Sequence, residues 1–360
     1  MSALVEILVP AHSASRPLER LAGSVVDRTD APVLLRVIAH NIEPDAIARA
    51  LGRYAEHPAV RVEPFADGIP SPAGPLRHAL GSVRAPWFAK IDSDDFLAPH
   101  AVDSWLETAR RTGAEAVIPP MVLETSRTAF PTPPQRPLRR VLDPVRDRLA
   151  YRTSTMGLLA SPLAEAAMPQ AGLATGEDIA PSLRLWFGAR RIARSDRDAA
   201  YLVGEDAADR VTGEPRPMAE ELGFVEPLLR EPFWDGLGPA ARISIVAKLV
   251  RVQVLGAGAR RAEHPESLEA IRAALDALLA HEPRTLRVLS RLDARLIDAL
   301  RTPSHDVAAV RALFERRRSY LQAPALVPRP WWGALRRDAP VRFLAASVLA
   351  ARRNRGAGLA

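Results

Sequence analysis

Short apolar runs alternate with helical periods through the first 120 residues of this 360-residue chain. "LVEILVP" (4–10), "VLLRVIA" (33–39), "VRVEP" (60–64), "WFAKI" (87–91) and "AEAVIPP" (114–120) read as strands, each short and rich in Val, Ile or Leu. Between them the apolar positions take a helical spacing. Leu18, Leu21, Val25 and Val26 mark a helix near 17–26, and Pro44 suits the first turn of another over 44–57. Further helices are expected at 75–83 and 99–111. Strands separated by ten to fifteen helical residues predict βαβ units, hence a Rossmann-like, mostly parallel sheet with helices on both faces. Ligands of such sheets sit beyond the carboxyl ends of the strands.

The middle is less regular. "FPTPPQRPLRR" (130–140) has too many prolines for regular structure and reads as a surface loop or lid. "STMGLLAS" (154–161) is a strand candidate and "IAPSLRLWFGARR" (179–191) an amphipathic helix. Beyond about residue 212 the pattern turns almost purely helical, with Ile271, Leu275, Leu278 and Leu279 on one face. The expected organisation is a first domain over 1–212, a linker over 213–235, an all-helical C-terminal domain over 236–328 and a basic amphipathic tail over 329–360.

Composition narrows the class. The chain has no cysteine, which excludes disulfides and thiolate metal sites. No stretch approaches the eighteen or so uncharged apolar residues of a membrane span, and "MSALVEILVPAH" has no basic leader or cleavage site. A cytoplasmic chain is expected. The formal charge of +7 is uneven: residues 1–210 carry 25 basic and 26 acidic side chains, whereas 301–360 carry 12 and 3. A basic tail on a neutral body predicts a localised anionic partner and argues against a nucleic-acid groove. Lys90 and Lys248 are the only lysines; every other basic residue is arginine.

Candidate chemistry gathers where the fourth strand ends. "WFAKIDSDDFLAP" (87–99) places Asp92, Asp94 and Asp95 just past an apolar run. Burying carboxylates is costly without a cation or donors to meet them. Two carboxylates two residues apart can converge on one hard divalent cation, and acidic turns also occur without one. Downstream, "ATGEDIAP" sets Asp178 before a helix, where it is either a cap or a reactive carboxylate. Lys90 shares the Asp92 face of its strand and can neutralise the acids, contact a diphosphate or snorkel to water.

The order of strand, "DSDD", "FLAPHAVDSWLETARRTGAEAV" resembles the family-2 glycosyltransferases of the GT-A fold. The resemblance begins at "VEILVPAH", continues through "LERLAGSVVDRT" and returns at "LATGEDIAPSLRLWFGARRIA", covering about residues 3–212. It implies an inverting transfer of a sugar from a nucleotide-sugar to an acceptor hydroxyl, dependent on Mg²⁺ or Mn²⁺. Asp94, with Asp92 and Asp95, would hold the metal, and Asp178 would be the general base. Pro10, His12, Asn41, Arg77, Lys90, Asp92 and Asp94 would line the nucleotide-sugar site. The pattern departs from the family at "VIAHNIEPD", where His40 and Asn41 replace the usual acid, and at Arg77, where the family usually has Asn. The latter can meet a phosphate bidentately or lie on a solvated helix face. His12 can touch the nucleotide or be an ordinary loop residue, and Glu205 or Asp206 stands in for a late metal-side His. The missing acid also keeps open a non-catalytic member that binds a nucleotide-sugar or glycan.

"RPWWGALRRDAPVRFLAASVLAARRNR" (329–355) sets two tryptophans beside an Arg-flanked apolar helix. It can pack on the body or dock peripherally on an anionic membrane face. The acceptor implied by the resemblance is a glycan, a lipid-linked glycan of the cell envelope or a small molecule.

Overall fold

The structure is a computed structural model that describes residues 3–125, 136, 138–205, 216–261, 265–302, 307–319 and 321–355. Its first part is an eight-stranded sheet in the order β3-β2-β1-β4-β9-β6-β10-β8. The strands are β1 (Val5–Ala11), β2 (Val33–His40), β3 (Val60–Phe65), β4 (Trp87–Lys90), β6 (Ala116–Ile118), β8 (Val141–Leu142), β9 (Leu158–Ala160) and β10 (Ile192–Arg194). Strands β3, β2, β1 and β4 run parallel, as do β6 and β10, while β9 and β8 run antiparallel to their neighbours. The residues explain the order. All seven side chains of β1 are buried, as a central strand covered on both faces requires, whereas β3 keeps exposed positions and lies at the edge.

Helices α1 (Leu18–Val26), α2 (Pro44–Ala50), α3 (Ala73–Leu80), α4 (Ala101–Thr112) and α5 (Ile179–Gly188) cover the sheet. Leu18, Leu21, Ala22 and Val25 form the buried stripe of α1. The helix expected over 44–57 stops early. Gly52 takes a φ of +54°, and the chain continues as a short 3-10 turn over Gly52–Tyr54. A second, three-stranded sheet sits above the first, with β11 (Tyr201–Val203) between β5 (Phe96–Leu97) and β7 (Met121–Leu123). This small sheet anchors the acidic turn described below. Most of the proline-rich loop, residues 126–135 and 137, lies outside the described residues, as does Asp206.

The C-terminal region is all helical: α6 (Met218–Glu221), α7 (Val225–Leu229), α8 (Pro239–Lys248), α9 (Leu255–Arg261), α10 (Pro265–His281), α11 (Arg291–Arg301), α12 (Val307–Arg317), α13 (Ala323–Leu326) and α14 (Pro340–Arg355). Helix α5 joins the two parts because it is apolar nearly all round. Leu185 and Trp186 pack with Leu8, Ile38 and Phe88 of the sheet. Ile179, Ala180 and Leu183 pack with Ile245, Val246 and Leu249 of the helical region. Each such buried side chain stabilises the junction by roughly 1.5–3 kcal/mol. Met218, Phe224, Leu228 and Trp234 are buried in the same cluster, so the stretch after residue 216 is packed against the body.

Candidate active site

The turn after β4 ties each of its three acids to a different partner. The Lys90 ammonium lies 3.0 Å from Asp92 Oδ1. Arg16, in the loop between β1 and α1, places a guanidinium nitrogen 3.0 Å from Asp94 Oδ2, and its side chain is only 5% exposed. Asp95 turns inward. Its carboxylate accepts from the Tyr201 hydroxyl at 2.6 Å and from the Gly204 N–H at 2.9 Å. The same Tyr201 oxygen accepts from the Asp92 N–H at 3.0 Å, so β11 clamps both ends of the turn. Burial, then the neighbouring Asp92 charge, pushes the Asp95 carboxyl up to about 7. Asp92 and Asp94 keep partly exposed carboxylates, with side chains 38% and 17% accessible. The two carboxylates are hard oxygen donors of the kind a divalent cation takes, and here each is met by a separate cationic side chain.

Asp178 occupies the N-cap position of α5, yet its side chain makes no capping hydrogen bond. The acid there does not act as a side-chain cap. Gly176, at a φ of +79°, aims the turn, and a Cβ there would stand 3.1 Å from the Phe224 ring of the helical region. Asp178 instead lines a 20 Å³ cavity, room for about one water, with Glu177, Lys90, Thr155, Leu8, Phe88 and Pro181 among its walls. Apolar burial and the adjacent Glu177 push its carboxyl up to about 7, against the pull of Lys90 and Lys248. Lys90 thus belongs to both groups of acids. Burial works against its ammonium, but Asp92 first, then Asp178 and Glu177, outweigh it and raise its pKa.

The other expected residues fall around the strand ends. Pro10 is buried in β1 opposite Ile38, and exposed His12 stands 3.5 Å from the Arg16 guanidinium. Asn41, at a φ of +54°, uses its side chain to build the neighbouring loop. Its Oδ1 accepts from the N–H groups of Asp67 and Gly68, both at 3.0 Å. Asp67 in turn accepts from His40 Nε2 at 2.9 Å, a contact that together with the Ile69 N–H holds its carboxyl below the usual carboxylate range. An acid is therefore present at this edge, supplied by β3's loop. Arg77 lies on α3 and donates to the Pro169 carbonyl at 2.9 Å, bracing the loop that leads to Asp178. Glu205 accepts from the Thr125 N–H at 2.8 Å.

Sequence reasoning missed Arg16, Asp67, Tyr201 and Lys248. Only Lys248 left a signal, as one of two lysines in an arginine-rich chain. Elsewhere, ligand atoms of Asp30, His100 and Asp103 lie within 4.8 Å of one another, but Asp103 already accepts from the Asp30 and Ala31 N–H groups. That cluster sits on the surface, apart from the DSDD turn.

No family model matches the chain. The crystal structure of S. aureus TarS 1–349 in complex with UDP-GlcNAc superposes with a TM-score of 0.73 at 15% identity, over 88% of this chain and 93% of that one. The chain shares the TarS fold. A longer TarS structure gives a TM-score of 0.67 at 14% identity, over 86% of this chain and 55% of that one. Chondroitin synthase of Escherichia coli is 29% identical over 109 residues, which are 30% of this chain and 16% of that protein.

Proposed function

We propose that the protein is an inverting, metal-dependent glycosyltransferase of the GT-A type that takes a nucleotide-sugar, in the first instance a UDP-sugar, and an acceptor hydroxyl. The observation that carries this reading is Asp178: an uncapped carboxylate in a small cavity, linked through Lys90 to Asp92. A carboxyl near 7 is matched to proton abstraction at neutral pH. As the acceptor oxygen bonds to the sugar's anomeric carbon, its proton passes to Asp178 and the bond to the diphosphate breaks on the opposite face. Asp94 and Asp92 would hold Mg²⁺ or Mn²⁺, which supplies charge neutralisation for the departing diphosphate. Asp95 and Tyr201 brace the turn that carries them, and Asp67 would meet the base or ribose. The shared fold with TarS bound to UDP-GlcNAc supports a UDP-sugar donor.

A thermal-shift series tests this. UDP-GlcNAc and other UDP-sugars are added with Mn²⁺, with Mg²⁺ and with chelator. Binding to the folded state raises the melting temperature by mass action. The expected outcome is a shift with one UDP-sugar that chelator abolishes; no shift with any of them sinks the proposal. Turnover that survives Asp178→Asn would instead favour a different base.

The tail supports peripheral docking at the cytoplasmic membrane face, where a lipid-linked acceptor would reside. No helix among the described residues is long and apolar enough to cross a membrane. Phe343 packs α14 onto Tyr151 with ring centroids 4.8 Å apart, which leaves Val341, Ala345, Val348 and Leu349 as an outward stripe. Trp331 and Leu335 are also exposed, beside Arg336 and Arg342. Anionic liposomes are expected to float the full chain and not a chain ending at residue 328; equal flotation removes this part of the proposal.

A further inference from the structure

Lys248 ends α8 and is 1% exposed, and no hydrogen-bond partner meets its Nζ among the described residues. A buried ammonium without a partner is among the most costly arrangements a core can hold. Its chain neighbours Ile245, Val246 and Leu249 belong to one cluster with Ile179 and Ala180, the residues that follow Asp178. Other polar groups on this side of α8 are already committed. Ser244 donates to Asp338 at 3.1 Å, and Arg251 donates to the Asp338 and Val288 carbonyls and to Tyr151. Glu177 and Lys90 line the same cavity as Asp178, and the charges that act on its carboxyl are Glu177 from its own turn, Lys90 from β4 and Lys248 from α8.

The residue type adds a second argument. The chain has 49 Lys and Arg residues, and its only two lysines are the two that bear on Asp178. Arginine stays protonated in proteins and needs several acceptors, whereas lysine is a compact charge that can give up its proton when buried.

We infer that Lys248 is a positioning residue that the helical region contributes to the site, setting the proton affinity of Asp178 from behind. The inference rests on the reading of Asp178 as the general base. Burial pulls the Lys248 ammonium down to about 7, against the opposing pull of Asp178. Removing Lys248 therefore takes away a cation that holds Asp178 ionised, and the carboxyl rises further. Removing Asp178 takes away the anion that supports the ammonium, and Lys248 falls further. The helical region would then be part of the catalytic apparatus and not only a platform.

Two lysines make the test direct. Lysine labelled with ¹³C and ¹⁵N gives two side-chain signals in the intact chain, assigned by Lys248→Met, a swap of similar volume that removes an unpaired buried charge. The signal of Lys248 is expected to titrate near neutrality. In Asp178→Asn the Lys248 midpoint should drop by about one pH unit. A Lys248 midpoint at the ordinary lysine value, or one unmoved by Asp178→Asn, overturns the inference. If Asp178→Asn does not fold, the wild-type midpoint decides alone. With a donor in hand, Lys248→Met should also move the acid limb of the kcat/KM profile to higher pH. Turnover retained in Asp178→Asn would overturn the base reading while leaving the lysine titration intact, so the two failures are distinguishable.

Discussion

Among the buried charges of this fold, two sets are built on opposite terms. On β2, Arg36 donates to Glu6 at 2.7 Å, to Glu63 at 2.7 and 2.8 Å, to Ser82 at 2.7 Å and to the Ala79 carbonyl at 3.2 Å. Glu6 accepts in addition from the N–H groups of Arg84 and Ala85. That network ties β1, β2, β3 and the turn after α3 together, with nearly all of its hydrogen-bonding capacity used. Where α5 meets the helical region, Asp178 has no side-chain cap bond and Lys248 has no hydrogen-bond partner among the described residues. A satisfied network is scaffold, because its charges are held in one state. An unsatisfied one keeps two protonation states within reach, which costs stability and is what acid–base chemistry requires.

The comparison breaks if Asp178 proves structural. Asp178→Asn should cut UDP-sugar turnover on the order of 10³-fold, as loss of a general base does, while circular dichroism stays native and the melting temperature does not fall at neutral pH. A variant that melts far lower and keeps its turnover per folded molecule would move Asp178 into the scaffold class. Arg36→Met is the converse. It leaves Glu6 and Glu63 buried with their cation gone, and about 3–5 kcal/mol of stability should disappear in urea unfolding. Turnover per folded molecule should persist in that variant.

Much of the scaffold was legible in the sequence. The run of β1, apolar except for Glu6, and the more polar run of β3 correspond to centre and edge, because burial on both faces leaves no room for alternation. The DSDD turn and Asp178 were legible as candidates, since local order along the chain exposes them. What clamps them was not. Tyr201 lies 106 residues beyond Asp95, and Lys248 lies 70 beyond Asp178, so only the assembled fold brings either pair together. Asn41 shows the opposite failure. It stands where an acid was expected, but its left-handed backbone and amide build the loop that presents Asp67.

Tyr201→Phe tests the clamp with a smaller effect. The hydroxyl both accepts from the Asp92 N–H and donates to Asp95. Its loss should cost about 1.5–3 kcal/mol, the worth of a hydrogen bond to a charged group, and should free the turn. Mn²⁺ affinity measured by calorimetry with UDP present is expected to fall several-fold. Unchanged affinity would place the acidic turn outside the metal site.

A pH series separates the two charge sets by the sign of their dependence. The Arg36 hydrogen bonds, acting against burial, hold the Glu63 carboxyl below its ordinary value. A depressed carboxyl stabilises the fold above its unfolded pKa, and that contribution is lost as pH falls through the folded value. Asp178 behaves the other way. Its pKa is raised from 3.8 to about 7, so its contribution is complete below about 4 and is lost as pH rises toward 7. Unfolding free energies measured from pH 3 to 8 should therefore show the two slopes opposed. Arg36→Met should flatten the acid-side rise, and Asp178→Asn should make the decline between 4 and 7 shallower, with Asp95 accounting for what remains. A decline equally steep in Asp178→Asn would mean that the carboxyl is not held near neutrality in the folded chain, and the distinction between site and scaffold would lose its titratable half.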